Sequence, residues 1–389
     1  MIHRVLPLAA IEGFIKNIYG NETPILHRPV FGGNEKQYLI DCIDSNFVSS
    51  VGAKVTEFEQ AVQLYCGCRF AVATVNGTAA LHVALSLAEV TAGSEVITQA
   101  LTFVATCNAI AYCSASPIFV DVDRHTLGMS PDSLRAFLTR FAFMRNGKPY
   151  NRHSGKRIAA CLPMHTFGHP CRIDEIVAIC HEYAIPVIED SAESLGSSYK
   201  GRHTGTFGLL GTFSFNGNKI ITTGGGGLII TDDPDLAARA KHLTTTAKIP
   251  HAYEFVHDAV GYNYRLPNLN AALGCAQMEQ LPVFISTKRQ LASCYAEFFA
   301  AFDISFVLEP PRATSNYWLN AIILDNQEQR DSFLHHTNAN GIMTRPIWRM
   351  MSELEMFKNC QADGLANSRW LQERVVNIPS SVPAATFSR

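Results

Sequence analysis

Between residues 70 and 189 the chain repeats one pattern: an apolar run of strand length, a helix-length segment, then another apolar run. The runs 70–75, 95–98, 118–122, 157–163 and 186–189 read as strands, and 78–88, 103–112, 131–140 and 173–183 as the helices between them. Strands that are apolar throughout are buried on both faces, and crossovers of helix length join parallel neighbours. The spacing therefore predicts an α/β fold with a mostly parallel sheet covered on both sides. Sheets of this kind gather ligands at the carboxyl ends of their strands, where polar residues recur in this chain. Residues 146–156 interrupt the pattern as a polar excursion.

A chain of 389 residues is long for one core, which predicts a large domain and a smaller one. Residues 11–18, 33–46 and 55–65 suit helices laid as a cap on the sheet, with Pro24 and Pro29 breaking the first segment. Residues 269–281 carry a strong helical pattern, whereas 244–257 lack periodicity. Beyond about Ser286 the pattern changes to a helix through Phe299, a strand at 316–324, a helix at 327–337 and a short strand near Ile342. The expected division is 1–285, cap and large domain, and 286–389, a small C-terminal α+β domain.

Composition narrows the partners. A net charge of -2 gives no general attraction to nucleic acid or to an anionic membrane. The apolar stretch 101–120 is interrupted by Asn108 and Pro117 and does not read as a membrane span. The 11 cysteines are dispersed, odd in number and not arranged as CxxC, which points to reduced thiols and a cytoplasmic location. His165 and His169 do not share one continuous helix face, because Phe167-Gly168 and Pro170 intervene, so no metal is expected.

Candidate chemistry concentrates in GTFSFNGNKIITTGGGGLII, residues 211–230: a strand, a polar segment with Lys219, four glycines and a second strand. A lysine set among hydroxyl and amide groups, beside backbone that can approach closely, suits an amine that attacks a carbonyl. A solvated lysine beside a glycine-rich hairpin is the plainer alternative. Gly77-Thr78 ends a strand and opens a helix, where backbone N–H groups and a hydroxyl can hold a phosphate or simply cap the helix. Asp190 follows an apolar strand and can hold a protonated heterocyclic nitrogen or cap a turn, with Glu193 three residues on. Ser214 and Asn216 offer a hydroxyl and an amide near Lys219, for a phosphate or for a turn. Phe103, at a strand-to-helix junction, is placed to stack on a ring, and His165 follows a strand from which it could reach a cofactor. An amine, a carboxylate and a phosphate cup are together what pyridoxal 5'-phosphate requires. A dinucleotide site would instead need GxGxxG opening a helix. The glycines at 201, 205, 208 and 211 lie in a segment too polar and too late for that, and a Walker sequence is absent.

The ordered motifs FVSSVGAKVTEFE, NGTAALH, TFVAT, VIEDSAESLG, SFNGNKIITTGGGG and GYNYRLPNLNAALGCAQ resemble the DegT/DnrJ/EryC1/StrS sugar aminotransferases across nearly the whole chain. The opening HRPVFGGNEKQYLIDCIDS and the closing RPIWRMMSELEMFKNC and VVNIPSSVP resemble one branch in particular. That branch makes the 4-amino sugar precursor of legionaminic-type nonulosonic acids for polysaccharide biosynthesis. The resemblance implies fold type I of the pyridoxal phosphate enzymes, the aspartate aminotransferase-like fold. It makes Lys219 the lysine that bonds the cofactor aldehyde and shuttles protons, and Asp190 the partner of the ring nitrogen. Phe103 falls in the ring-facing segment, and Gly77, Thr78 and Ser214 in the phosphate-binding set. Asn263, in GYNYRLPN, matches an asparagine that reaches the phosphate from the other subunit, which implies a homodimer with shared sites. Two departures stand out. Glu193 occupies a position where many members carry Gln or His facing the ring hydroxyl, and Gly224–Gly227 replace a common GEGG. Lys219 is retained where the dehydratase members carry histidine.

The implied reaction moves the amino group of L-glutamate to C4 of a nucleotide-linked 4-keto-6-deoxy sugar, with the two substrates using one site in turn. UDP-4-keto-6-deoxy-N-acetylhexosamine is the expected acceptor, and a GDP-linked, perosamine-type sugar the alternative. A regulator that binds the cofactor or a nucleotide sugar without turnover is the rival class. Arg265, Arg345 and Arg349 are candidates for the diphosphate.

Overall fold

The computed structural model describes residues 6–383. Its centre is one sheet of β1 (Phe70–Thr74), β2 (Glu95–Gln99), β3 (Ser116–Val120), β4 (Ile158–Leu162), β5 (Ile188–Asp190), β6 (Leu210–Ser214) and β7 (Gly227–Thr231). Across it the order is β3-β2-β4-β5-β6-β7-β1, with β4 and β5 joined by parallel bridges at Cys161–Val187 and Met164–Asp190. The pairs β2–β3, β2–β4 and β5–β6 are parallel. Only β7 is antiparallel to both its neighbours, β1 and β6, because residues 215–226 connect it to β6 as a loop without a crossover helix.

Before the sheet come α1 (Leu8–Tyr19), α2 (Glu35–Asp44) and α3 (Ala53–Cys66). Between the strands run α4 (Gly77–Leu87), α5 (Val104–Tyr112), α6 (Pro131–Phe141) and α7 (Ile173–Glu182), and α8 (Pro234–Thr244) follows β7. Burial of both faces is visible within β2. Val96 packs among Leu81, Ala84 and Ile110, whereas its neighbour Ile97 packs among Leu134, Phe137 and Ile176. The expected polar excursion is a hairpin, Ala142–Arg145 against Lys148–Asn151, turned by Asn146-Gly147 with both residues at positive φ. Residues 244–257 likewise hold a short pair, Lys248–Ile249 against Val256–His257.

The C-terminal sheet contains β8 (Ser305–Phe306), β9 (Asn320–Ile323), β10 (Arg345–Pro346) and β11 (Val375–Ile378), ordered β8-β9-β11-β10. Two features correct the expected division at residue 285. Helix α9 (Asn268–Ala300) runs unbroken for 33 residues through Pro282, so the two cores are joined by a helix and not by a linker. Proline deletes one helical hydrogen bond, but burial of Leu281 and Phe284 on either side of it keeps the helix whole. Helix α1 does not cap the large sheet either. Ile11, Ile15 and Tyr19, one stripe at helical spacing, pack with Tyr295, Phe299 and Ile322 of the C-terminal core. Helices α10 (Gln327–Ala339) and α11 (Ala366–Gln372) complete that part. Among the described residues no helix is long and apolar enough to cross a membrane.

Candidate active site

The carboxyl ends of β1, β5 and β6 face the small sheet across a cavity of about 610 Å³. At the end of it formed by the start of α4, Asn76 Oδ1 accepts from the N–H of Ala79 at 2.8 Å and caps the helix. The first N–H groups of a helix lack intrahelical acceptors and carry the positive end of its dipole, so this start suits an anion. Two glycines make the cradle possible. A Cβ on Gly77 would sit 2.7 Å from the Ser214 Cβ, and one on Gly227 would sit 2.3 Å from the Asn76 carbonyl oxygen. The glycine run therefore lets β7 lie directly against the turn that opens α4.

Asp190 ends β5 at the floor and is 2% exposed. Its Oδ2 accepts from the Thr106 hydroxyl at 2.7 Å and its Oδ1 from the N–H of Ala192 at 3.2 Å. Burial pushes this carboxyl above the usual carboxylate range, with Thr106 and Ala192 pulling the other way. A protonated ring nitrogen set against it would offset the cost of that burial.

Lys219 reaches in from the loop after β6. Its Nζ lies 3.5 Å from Glu193 Oε1 and 4.1 Å from the centroid of the Trp318 ring. Trp318 is held by its indole N–H, which donates to the Asn218 carbonyl at 2.6 Å. Glu193 Oε2 accepts from the N–H of Phe167 at 2.8 Å, and burial pushes the Glu193 carboxyl up to about 7 against the pull of Lys219. Asn316 fixes the loop that carries it, donating from Nδ2 to the carbonyls of Glu193 and Leu195, both at 2.9 Å. Phe103, Phe167 and Trp348 form an aromatic wall, with the Trp348 ring 6.4 Å from Phe103 and 5.0 Å from Phe167 between centroids.

Of the residues singled out in the sequence, Gly77, Thr78, Phe103, Asp190 and Glu193 line this cavity, and so do Ser214, Asn216 and Lys219. Arg345 and Arg349 also line it, although the Arg345 guanidinium turns to the end of α10, donating to Asn338 Oδ1 and to the Thr344 carbonyl, each at 2.7 Å. Three do not reach it. His165 is fully buried on the other side of the chain, its Nε2 3.0 Å from Glu189 Oε2 and its Nδ1 accepting from the N–H of Cys171. The bridge that pairs Met164 with Asp190 puts Met164 on the cavity side, which leaves the next residue facing Glu189. Arg265 bridges to Thr74 and lines a separate pocket of about 30 Å³. Asn263 is exposed and bridges to Thr245. Missed in the sequence were Thr106, Asn316, Trp318 and Trp348. Thr106 stands in the first turn of α5, three residues past Phe103, so TFVAT held its signal. Trp348 lies between Arg345 and Arg349 in the motif RPIWRMM, whereas Asn316 and Trp318 come from a segment with no local sign of a site.

The donor set fits pyridoxal phosphate in each part: a cradle closed by Gly77 and Gly227, an under-paired buried carboxylate, an aromatic wall and one amine. The sequence profile of the DegT/DnrJ/EryC1/StrS aminotransferase family matches residues 30–386. The chain is similar to EpsN of Bacillus subtilis (strain 168), at 37% identity over 85% of this chain and 83% of that one. It is also similar to the GDP-perosamine synthase of Escherichia coli O157:H7, at 36% identity over 91% of this chain and 92% of the other. Among solved structures, the aminotransferase TlmJ from Streptoalloteichus hindustanus superposes with a TM-score of 0.83 at 25% identity, covering 92% of this chain and 94% of that one. DesI, solved in the presence of its TDP-sugar product, gives 0.78 at 26% identity, over 94% of this chain and 91% of DesI. This chain belongs to the DegT/DnrJ/EryC1/StrS aminotransferase family, and it is a pyridoxal phosphate-dependent aminotransferase.

Proposed function

We propose that the chain transfers an amino group from L-glutamate to C4 of a nucleotide-linked 4-keto-6-deoxy sugar. The observation that carries the reading is the convergence of Lys219, Asp190 and the Gly77–Ser214 cradle on one cavity. Among the acceptors, the GDP-linked, perosamine-type sugar takes precedence over the UDP-linked N-acetyl sugar expected from the closing motifs. Relatives named GDP-perosamine synthase, from Escherichia coli O157:H7 and from Caulobacter vibrioides at 36% and 34% identity, support that order. The legionaminic branch is retained as the second reading.

Pyridoxal phosphate, when bound, supplies an aldehyde that carries the amino group between substrates and a ring that takes up charge. The residues do the rest. The start of α4 and the Thr78 and Ser214 hydroxyls hold the phosphate, with Asn216 at the rim. Asp190 orients the ring through its nitrogen and keeps a proton there. Lys219 Nζ holds and moves the proton taken from the amino donor, and Glu193, 3.5 Å away, sets the charge around that amine. Phe103 and Trp348 keep water from the ring. Arg349, which lines the cavity, serves the diphosphate, and Arg345 joins it only on leaving Asn338 and Thr344. Asn263 serves the phosphate of a second copy in a homodimer. Its exposure in one chain supports this, as do the exposed Tyr253, Phe255 and Val260 on the neighbouring arm. The cysteines are all unpaired, in keeping with a reducing compartment.

The test is the visible spectrum of the loaded protein. L-glutamate should bleach it, and a 4-keto-6-deoxy nucleotide sugar should restore it, with GDP- and UDP-linked acceptors compared side by side. A band that no 4-keto sugar restores would remove the sugar assignment. A band that glutamate leaves untouched would favour another donor or the regulator class. Sedimentation at enzyme concentrations tests the dimer, and a monomer with full activity would exclude a shared site.

A further inference from the structure

Strand β11 alternates, as strands do, between two environments. Val376 and Ile378 bury into the C-terminal core, and Val375 into the core that continues toward the large sheet. Asn377 shares the Val375 side and lines the cavity. It is 3% exposed, and its Nδ2 has no hydrogen-bond partner. An apolar side chain would suit this face, which otherwise presents Ala321 and Leu319. An amide donor buried without an acceptor is costly, and the cost recurs in every folded molecule unless a ligand removes it.

Neither ladder neighbour supplies the acceptor. Directly across the ladder stands Arg345, whose guanidinium carries donors alone and is turned away to Asn338 and Thr344. On the other side the partner is Ala321. The surroundings are also fixed. Leu26 lines the cavity, and its carbonyl accepts from the N–H of Ser380 at 2.9 Å, while Pro24 is tied to Met343 and Val30 to Gln277. A strap held at three points does not swing over to pair with Asn377.

Position decides which ligand is concerned. The cofactor set belongs to the strand ends of the large sheet, whereas Asn377 stands on the small sheet paired with Arg345, and Leu319, just before β9, and Leu26 of the strap line the cavity with it. We propose that Asn377 is a specificity-determining residue for the sugar substrate, its amide donating to an acceptor oxygen on the pyranose. This rests on the sugar aminotransferase reading given above. The oxygen is a ring hydroxyl in a GDP-linked 4-keto-6-deoxy sugar, or the acetamido carbonyl in a UDP-linked N-acetyl sugar. Both accept from the same N–H.

The experiment uses the holoenzyme with Asn377→Asp, which keeps the shape and replaces the donor with an acceptor, and Asn377→Leu, which deletes the polar group. Bleaching by L-glutamate reports on fold, cofactor and Lys219, and should stay within about twofold of wild type in both variants. The KM for the sugar should rise at least tenfold, more for Asp than for Leu, with little change in kcat. If the rise appears with the GDP-linked sugar the contact is to a hydroxyl; if with the UDP-linked N-acetyl sugar, it is to the acetamido group. An unchanged sugar KM in both variants overturns the assignment. So does a parallel loss of the glutamate reaction, which would make Asn377 a structural residue. A wild-type enzyme that bleaches with glutamate but accepts no 4-keto nucleotide sugar overturns the functional reading, and this assignment with it.

Discussion

Glu189 and Asp190 are consecutive residues at the end of β5, both carboxylates and both buried, and they have opposite fates. The Glu189 carboxylate accepts from the N–H groups of Gly205, Phe207 and Gly208, at 2.8, 2.6 and 2.7 Å, and from His165. It binds one loop of the protein to another and has nothing left for a ligand. Asp190, facing the other way, has a hydroxyl and one N–H, and Glu193 beyond it has one N–H and a lysine at 3.5 Å. Reactivity is left where burial outruns pairing. A carboxylate that is fully paired is structure.

The largest effect is expected at Lys219: Lys219→Ala should lower turnover at least ~10³-fold and remove the glutamate-sensitive absorption band, because no other amine lines the cofactor end. Asp190→Asn should lower kcat on the order of 10²-fold or more while phosphate-dependent cofactor retention persists. Equal loss of cofactor and rate would instead place Asp190 with the structural carboxylates. Glu189→Ala, by contrast, should cost about 3 kcal/mol of stability in denaturant unfolding, since it strands the buried Gly205 N–H, the half-buried N–H groups of Phe207 and Gly208, and the buried His165. An unchanged midpoint would show that the loop at 205–208 does not depend on it.

Glu193 gives the finest discrimination. Its carboxyl titrates near 7 in the folded chain against an ordinary 4.5, so the folded state holds a proton that the unfolded chain has already released. Stability of the cofactor-free protein should therefore be highest below pH 4.5, as far as this group is concerned, and fall as pH rises through about 7. That interval corresponds to about 3 kcal/mol as an upper bound, with the attraction of Lys219 already included. Glu193→Gln should keep the bond from the Phe167 N–H, flatten the pH dependence and raise stability at pH 8. A variant that follows the wild-type curve would show that Glu193 stays ionised and paired. Trp318→Phe, which keeps a ring beside Lys219 but drops the indole N–H bond to the Asn218 carbonyl, should have the smallest effect, about 1 kcal/mol in stability.

Much of the site was legible because it is local. Lys219 lies five residues after Ser214, Asp190 and Glu193 are one turn apart, and Gly77-Thr78 opens a helix straight after a strand. Strand–helix alternation announces such strand ends wherever it occurs. His165 was misplaced because a residue just beyond a strand can face either side, and only the pairing of Met164 with Asp190 chooses which. The helix through Pro282 was unreadable for a related reason: its continuity comes from burial against other segments, which outweighs the local break.

The sequence by itself determined the parallel α/β sheet, the family, the cofactor and the amine and carboxylate that serve it. Each is written in short ordered patterns whose chemistry acts over a few residues. Only the tertiary structure decided that the glycine run closes on the turn before α4, and that Trp318 shelters Lys219 from 99 positions away. It also decided that Glu189 is silent while Asp190 is poised, and that an unpaired amide at Asn377 waits on the far wall. Those facts depend on which atoms meet across the cavity, and packing alone brings them together.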